Sequence, residues 1–207
     1  MKTNQPKKNY LLLLYFIILL NYHSYAQCWT KIKTGDNYSI AIKDNGTIWA
    51  WGENNHGQLG DGTFINKNTP TQIGSDNDWL EVDVKTHHTV ALKSNGTLWA
   101  WGWNVSGQLD NGNTTDNNIP HQIGTDTDWN QIAAGRYNTM ALKSNGTLWA
   151  CGDNFAGQLG TGNQVSSLTM IQIGTDNNWS KIIMGAEYVV ALKNDGTLWS
   201  WGYNPLG

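Results

Sequence analysis

The chain contains 207 residues, with 13 lysines and arginines against 16 aspartates and glutamates and a formal net charge of −3. Arg136 is the single arginine. This balance offers no basic surface for a phosphate backbone, so the composition argues against nucleic acid as a partner.

The first 26 residues have the features of a secretory signal peptide. A lysine-containing start is followed by an apolar run over 11–20, and small residues precede the expected cleavage after Ala26. The apolar run is shorter than the roughly 20 residues that a bilayer span needs. We therefore predict that 1–26 is removed, that 27–207 is secreted to the periplasm, cell surface or medium, and that no membrane attachment remains after cleavage.

An eight-residue phrase recurs along the chain at a constant spacing of 50 residues, at 45–52, 95–102, 145–152 and 195–202. A fixed period of this length is typical of one supersecondary unit copied in tandem. The repeats are placed at 29–78, 79–128 and 129–178, with a partial copy at 179–207. We expect the glycines and tryptophans shared by the copies to be architectural: Gly46, Trp49, Trp51, Gly96, Trp99, Trp101, Gly146, Trp149, Gly196, Trp199 and Trp201.

Each repeat is predicted to form four β-strands, and repeat 79–128 serves as the example. Asn95-Gly96 supplies a two-residue hairpin turn, because both residues tolerate the positive φ angles that such a turn needs. Pro120 marks the fourth strand as an edge strand. No segment shows an apolar period of 3.6 residues, so helix is not expected. The predicted strands cover 79–84, 89–93, 97–101 and 119–123.

The two central strands of the repeat are nearly continuous in apolar residues, at 90–92 and 98–101. A sheet with one wet face would alternate more strictly, so this pattern indicates burial on both faces. Sheets stacked against similar sheets meet that requirement in a β-propeller. A single repeat buries too little apolar surface to fold alone, so neighbouring blades must stabilise one another.

The repeats resemble the regulator of chromosome condensation repeat. The segment Trp51-Gly52-Glu53-Asn54-Asn55-His56-Gly57-Gln58-Leu59-Gly60 carries the resemblance, and its equivalents begin at Trp101 and Cys151. The resemblance implies an all-β propeller of four-stranded blades, usually seven in this family. The chain would then form an arc of about 3.5 blades.

The last copy of the signature stops at Gly207, before its Gln-Leu-Gly. We therefore expect a piece of a longer protein, with two chains completing one ring as the alternative. An arc exposes strand edges and sheet faces, so 27–207 alone is expected to self-associate.

Two departures from the repeat stand out. Asp110 replaces the glycine found at Gly60 and Gly160, so an altered turn is expected there. Cys151 takes the place of a tryptophan and is predicted to be buried. An oxidising compartment would allow a disulfide between Cys28 and Cys151.

The founding member of the family is a nucleotide exchange factor that acts through an inserted wedge, and the unbroken spacing leaves no insertion in this chain. Secreted bacterial members include an enzyme inhibitor that binds across one propeller face through its loops. The equivalent loop positions are the candidate binding residues, with ordinary blade packing as the alternative explanation: Trp103, Asn104, Phe155, Tyr137, His87 and His56.

No catalytic, cofactor or metal motif is recognised. There is no Gly-x-Ser-x-Gly, phosphate loop or His-Glu-x-x-His. Asp-x-Asp at 76–78 and 126–128 lacks the glycine and glutamate of a calcium loop, and a turn before the next tryptophan explains it better.

Two hypotheses follow. One is a secreted, non-catalytic propeller that binds a protein or glycan through its loops. The other is a propeller appendage of an extracellular hydrolase or lyase whose catalytic domain follows Gly207.

Overall fold

The structure is a computed structural model that describes residues 28–205. The predicted signal peptide and Gly207 lie outside these residues. Fifteen strands and no helix are found in the described part of the chain, which therefore contributes no helix of the length and hydrophobicity that a membrane span requires. The all-β prediction is confirmed.

The strands form three four-stranded antiparallel sheets and one three-stranded sheet, each in simple chain order. The first sheet contains β1 (Trp29–Thr34), β2 (Tyr38–Lys43), β3 (Ile48–Gly52) and β4 (Lys67–Gln72). The second contains β5 (Trp79–Lys85), β6 (His88–Lys93), β7 (Leu98–Gly102) and β8 (Asn117–Ile123). The third contains β9 (Trp129–Ala134), β10 (Asn138–Lys143), β11 (Leu148–Gly152) and β12 (Ser167–Gln172). The fourth contains β13 (Trp179–Met184), β14 (Tyr188–Lys193) and β15 (Leu198–Gly202).

The predicted strands of the second repeat are confirmed, with ends that shift by one or two residues. Pro120 lies in β8, which is the outer strand of its sheet, as predicted. Every residue of the inner strand β6 is buried, which confirms that both faces of the sheet are covered. The four sheets are the successive blades of a propeller arc.

Each blade has two ends, and the chain order places different connections at each. One end, the Asn-Gly face, carries the two-residue turns and the connectors between blades. The other end, the long-loop face, carries the short turn between the first two strands and the long loop after the third. In the second blade, the Asn-Gly face has 94–97 and 124–128, and the long-loop face has 86–87 and 103–116.

The Asn-Gly turns have the same hydrogen bonds in every blade, with Asp195 in place of the asparagine in the fourth. In the first blade, Gly46 has a φ of 76°, and the side-chain oxygen of Asn45 accepts the hydroxyl proton of Thr47 at 2.7 Å. The Trp49 indole N–H then donates to that hydroxyl oxygen at 3.0 Å. A Cβ on Gly46 would lie 2.0 Å from the carbonyl oxygen of Asn77, so the next blade connector leaves no room for a side chain. The turn thus joins one blade to the next.

Three hydrophobic cores lie between the sheets rather than within any one of them. In the second blade, Leu98 and Ala100 face the third blade, whereas Trp101 faces the first. Trp101 is fully buried, and its indole N–H donates to the carbonyl oxygen of Gln58 in the first blade at 3.0 Å. The repeated phrase therefore fills the gaps on both sides of its blade, as predicted.

Cys151 is buried in the place of Trp101, which confirms the sequence prediction, and Cys28 is exposed. No disulfide joins these two described residues. Asp110 keeps the positive φ of the glycines it replaces, at 58°, so the turn is not altered and the expectation of a changed turn was wrong. A Cβ on Gly60 would lie 2.6 Å from the indole nitrogen of Trp101. There is room for the Cβ of Asp110 because its neighbour is Cys151, which is smaller than tryptophan.

The outward faces of the first and last blades have no covering sheet within residues 28–205. Leu198 is 70% exposed, whereas its equivalent Leu98 is 0% exposed. At the other end Ile32 is 59% exposed, against 0% for Val82. Apolar side chains that are buried at every internal interface are therefore open to solvent at both ends of the arc.

Candidate functional site

The long-loop face carries the candidate site, and each of its loops is held from inside by a buried asparagine. Asn104 is 0% exposed; its side-chain amide donates to the carbonyl of Asn113 at 3.0 Å, and its side-chain oxygen accepts the backbone N–H of Leu109 at 2.9 Å. Asn54 and Asn154 do the same in their own loops. Asn104, a candidate binding residue from the sequence, therefore supports the loop and does not reach the surface.

His56, His87, Trp103 and Tyr137, all candidate binding residues, lie together on this face and are called the ring cluster below. The ring of His56 lies 4.9 Å from that of Trp103 and 5.2 Å from that of His87, measured between centroids. Trp103 lies 5.2 Å from Tyr137 in an edge-to-face arrangement. All of these rings are partly exposed. Three blades thus contribute to one continuous aromatic surface.

Short backbone contacts set the positions of these rings. His87 lies in the tight turn between β5 and β6, and its carbonyl accepts the backbone N–H of Trp103 at 2.9 Å. Trp103 therefore leaves the end of β7 beside His87. His56 reaches across from the long loop of the first blade, and Tyr137 comes from the β9–β10 turn of the third. Blade stacking, and not proximity in sequence, brings them together.

Two carboxylates border the ring cluster. Asp116 lies 2.8 Å from the His56 ring nitrogen, measured from Oδ2 to Nδ1. Glu53 Oε2 lies 4.0 Å from His87 Nδ1 and accepts an amide N–H of Asn37 at 2.9 Å. Neither carboxylate was among the binding residues predicted from the sequence. A signal was available for Glu53, because it occupies the same repeat position as Trp103 and therefore lies at the same end of its blade.

A guanidinium extends the surface beyond Tyr137. Arg136 lies over the Tyr137 ring at 5.0 Å from the centroid and donates to a Glu187 carboxylate oxygen at 3.2 Å. The one arginine of the chain thus pairs with an aromatic ring and an acid at the edge of the candidate site. The sequence analysis noted Arg136 as the single arginine but did not place it at the candidate site.

Phe155, the remaining candidate, lies on the same face but outside the ring cluster. It is 80% exposed, in the long loop of the third blade, and the described ring contacts of the cluster do not include it. Its position equals that of Val105 in the second blade, which is 49% exposed. Phe155 is therefore a separate apolar point on the long-loop face.

The Asn-Gly face has its own charged cluster, which repeats between blades. The Lys93 ammonium lies 4.8 and 4.7 Å from the ring centroids of Trp79 and Trp99 and contacts Asp76 at 2.6 Å and Asp78 at 3.0 Å. Burial alone would lower the pKa of Lys93, but hydrogen bonds and attraction to the two aspartates raise it. The Asp-x-Asp segments therefore hold an internal lysine, which explains their presence without a metal.

Two side chains with reactive groups, His88 and Cys151, are fully buried. Burial lowers the pKa of His88 to about 3, with a contribution from His87, so its imidazole is neutral. Burial also raises the pKa of the Cys151 thiol, and Asp110 adds to the effect. Residues 28–205 contain no group of three or more His, Cys, Asp or Glu side chains placed to hold a metal ion.

Comparison with known families gives a clear match. The model described as "Regulator of chromosome condensation (RCC1) repeat" matches residues 45–92, 95–142 and 145–192, and a second model of the same description matches 29–58, 81–108 and 129–158. The chain belongs to the RCC1 repeat family. The RCC1 segments matched by the first model cover well over half of it, and they begin at the Asn-Gly turns.

Several solved structures share the fold. The crystal structure of human WBSCR16 is 25% identical, with a TM-score of 0.77 over 87% of this chain and 49% of that one. Yeast RCC1 (Prp20), in a structure bound to Kap60, is 19% identical with a TM-score of 0.77 over 86% of this chain and 44% of that one. A further structure of Prp20p from Saccharomyces cerevisiae, whose title describes binding to Gsp1p and histones, is 21% identical with a TM-score of 0.72 over 86% and 46%.

A curated relative gives a short match. The mitochondrial RCC1 domain-containing protein RUG3 of Arabidopsis thaliana is 39% identical over 44 residues, which is 21% of this chain and 10% of the relative. The RCC1 chain described here spans less than half the length of each of the three solved structures named above. The relatives establish the propeller fold and the repeat family.

Proposed function

We propose that this protein is a secreted, non-catalytic RCC1-repeat propeller that binds a protein partner through its long-loop face. The observation that carries the proposal is the ring cluster, because partly exposed tryptophan and tyrosine side chains grouped on one surface are typical anchors of protein interfaces. RCC1-like propellers are generally protein-binding modules. Secretion is supported by the basic and apolar start of the sequence, which precedes the described residues.

Variation between the repeats supports the same face. Glu53, Trp103, Asp153 and Tyr203 occupy one repeat position, at the start of the long loop, and no two copies have the same side chain. The Asn-Gly turns, in contrast, differ only by Asp195 in place of asparagine. A surface that differs from blade to blade can recognise one partner in one orientation, whereas the repeated surface is explained by architecture alone.

The test is affinity capture from the extracellular proteins of the native host, with the full chain as bait. We expect one protein to be retained by the unaltered chain and lost with Trp103→Ala and with Tyr137→Ala. Phe64→Ala is the matched control, because Phe64 is a 52% exposed aromatic in a long loop and lies outside the ring cluster. Equal retention by all variants would contradict the proposed binding face. Capture of a glycan that is lost with Trp103→Ala would show that the partner is a carbohydrate and not a protein.

We also propose that residues 27–207 by themselves self-associate through their uncovered blade faces. Tyr188 is 52% exposed, whereas its equivalent Tyr38 is 3% exposed. Apolar surface of this kind contributes about 25 cal/mol for each Å² removed from water. Sedimentation of this segment should show dimers or larger species at micromolar concentration, and a monodisperse monomer would contradict the proposal.

A further inference from the structure

We infer that the partner presents an arginine or lysine side chain to the ring cluster. This inference rests on the proposed function and specifies the chemistry of the contact. Two observations carry it. Carboxylates border the rings of the cluster, and elsewhere in the chain an arginine or a lysine lies between rings and carboxylates arranged in the same way.

Arg136 provides an example within the candidate site. Its guanidinium lies over the ring of Tyr137, while Glu187 accepts its hydrogen bond. The ring attracts the cation through its quadrupole, and the carboxylate neutralises its charge. An aromatic ring of the cluster is therefore already used as one side of a cation site.

The lysines of the Asn-Gly face use the same arrangement. Lys143 lies 4.8 and 5.1 Å from the ring centroids of Trp129 and Trp149, and Asp128 lies 3.1 Å from its ammonium. Together with Lys93 and Lys193, this shows that pairs of rings flanked by carboxylates hold a cation in blade after blade. The arrangement is a recurrent property of this chain.

Trp103 has rings and carboxylates around it but no cation from residues 28–205. The His56 and His87 rings lie 4.9 and 5.5 Å from it, measured between centroids, and Asp116 and Glu53 border those rings. Among the described residues, no lysine or arginine side chain lies over the Trp103 ring. A partner can therefore supply the basic group that completes the arrangement.

The charge of the whole long-loop face favours the same kind of partner. Carboxylates outnumber lysines and arginines there, and two of the basic side chains are paired with acids of the face itself, namely Lys67 with Asp61 and Arg136 with Glu187. A face of one predominant sign attracts a partner of the other sign and raises its rate of encounter. The acids of the face are Asp36, Glu53, Asp61, Asp110, Asp116, Asp153 and Glu187.

The test uses the full chain and two fluorescein-labelled peptides, one of alternating glycine and arginine and one of alternating glycine and glutamate, followed by fluorescence anisotropy. We expect the arginine peptide to bind and the glutamate peptide not to bind. Trp103→Ala and Glu53→Gln should each weaken binding of the arginine peptide about fivefold, because each removes one side of the cation site. Trp103→Phe keeps a ring and should retain most of the affinity.

Asp195→Asn is the matched control for Glu53→Gln. It removes one carboxylate from the Asn-Gly face and installs the asparagine that the other three turns already have. Binding of the arginine peptide should change by less than about twofold in this variant, since the site lies on the opposite face. Circular dichroism of each variant confirms that the fold is kept.

Several results would overturn the inference: no binding of the arginine peptide, stronger binding of the glutamate peptide, or equal losses in Glu53→Gln and Asp195→Asn. The last result would mean that only overall charge matters. The proposed function fails separately, when capture of a protein does not depend on Trp103. Protein capture that depends on Trp103 without arginine-peptide binding would keep the proposed function and reject the basic contact.

Discussion

The two faces of the propeller arc are built from the same repeats, yet they differ in how much they vary. On the Asn-Gly face, Gly46, Gly96 and Gly146 each lie against the next connector, and a Cβ on any of them would lie within 2.1 Å of a carbonyl oxygen. On the long-loop face, a buried asparagine holds each loop from inside. The side chains that point outward from these loops can therefore differ between blades without disturbing the fold. The comparison teaches that contacts between blades fix the exposed turns at one end, whereas at the other end the loops are held from inside and their outward side chains are free to differ.

The largest effect is expected from Gly96→Ala on the Asn-Gly face. The added methyl would lie 2.0 Å from the carbonyl oxygen of Thr127, and φ is 79°. We expect the free energy of unfolding to fall by about 3 kcal/mol, from left-handed strain and overpacking together. Gly196→Ala is the control, because its φ is 85° and nothing lies within 4 Å; it should cost about 1 kcal/mol. Urea unfolding measures both, and equal losses would contradict the role of the connector.

The next effect concerns packing beneath the long-loop face. Cys151→Trp should lower the free energy of unfolding by about 2 kcal/mol, because the indole needs the space that the Asp110 side chain occupies. Adding Asp110→Gly restores the pair seen at Gly60 and Trp101. We expect an interaction energy of about 2 kcal/mol in this double-mutant cycle. Asp110→Gly alone serves as the control, and additivity within about 0.5 kcal/mol would disprove the steric coupling.

A pH-dependent effect is expected from His88, which is buried behind the ring cluster. Its pKa is about 3 in the folded protein, against 6.5 when exposed. Between these values the unfolded chain binds the proton and the folded chain does not, so the free energy of unfolding falls with pH from about 6.5 towards 3. The loss at pH 5 should be about 2 kcal/mol, at about 1.4 kcal/mol per unit.

His88→Asn isolates this contribution, because Asn138 is the equivalent residue of the third blade. The variant should be less sensitive to pH between 7 and 5 in thermal or urea unfolding. An unchanged pH dependence would show that the proton binds elsewhere.

The smallest effect is expected from Glu53→Gln on the long-loop face. The glutamine oxygen can still accept the Asn37 hydrogen bond, so the free energy of unfolding should change by less than about 0.5 kcal/mol. The same substitution is expected to weaken binding of an arginine peptide. A large loss of stability would show that this face is structural, like the opposite one.

Much of the fold could be predicted from the sequence, because its determinants are local and repeated. Asn95-Gly96 forms a turn because of its own backbone preferences. Pro120 has no backbone N–H to donate, so its strand is expected at the edge of the sheet. The turn at Asp110 was predicted wrongly, because its geometry depends on a contact with the next blade. The sequence also did not predict the partner of Asp76 and Asp78, because Lys93 contacts them only once the strands have paired.

The sequence by itself determined the repeat, the blade and the burial of both sheet faces, because periodicity and turn chemistry act within about 50 residues. It also identified most members of the candidate surface, through positions that differ between copies. Only the tertiary structure decided which of them meet. His56, Trp103 and Tyr137 come from three blades, Asn104 turns inward, and Phe155 stands apart. Their grouping depends on the stacking of one sheet on the next, and no local pattern encodes that geometry.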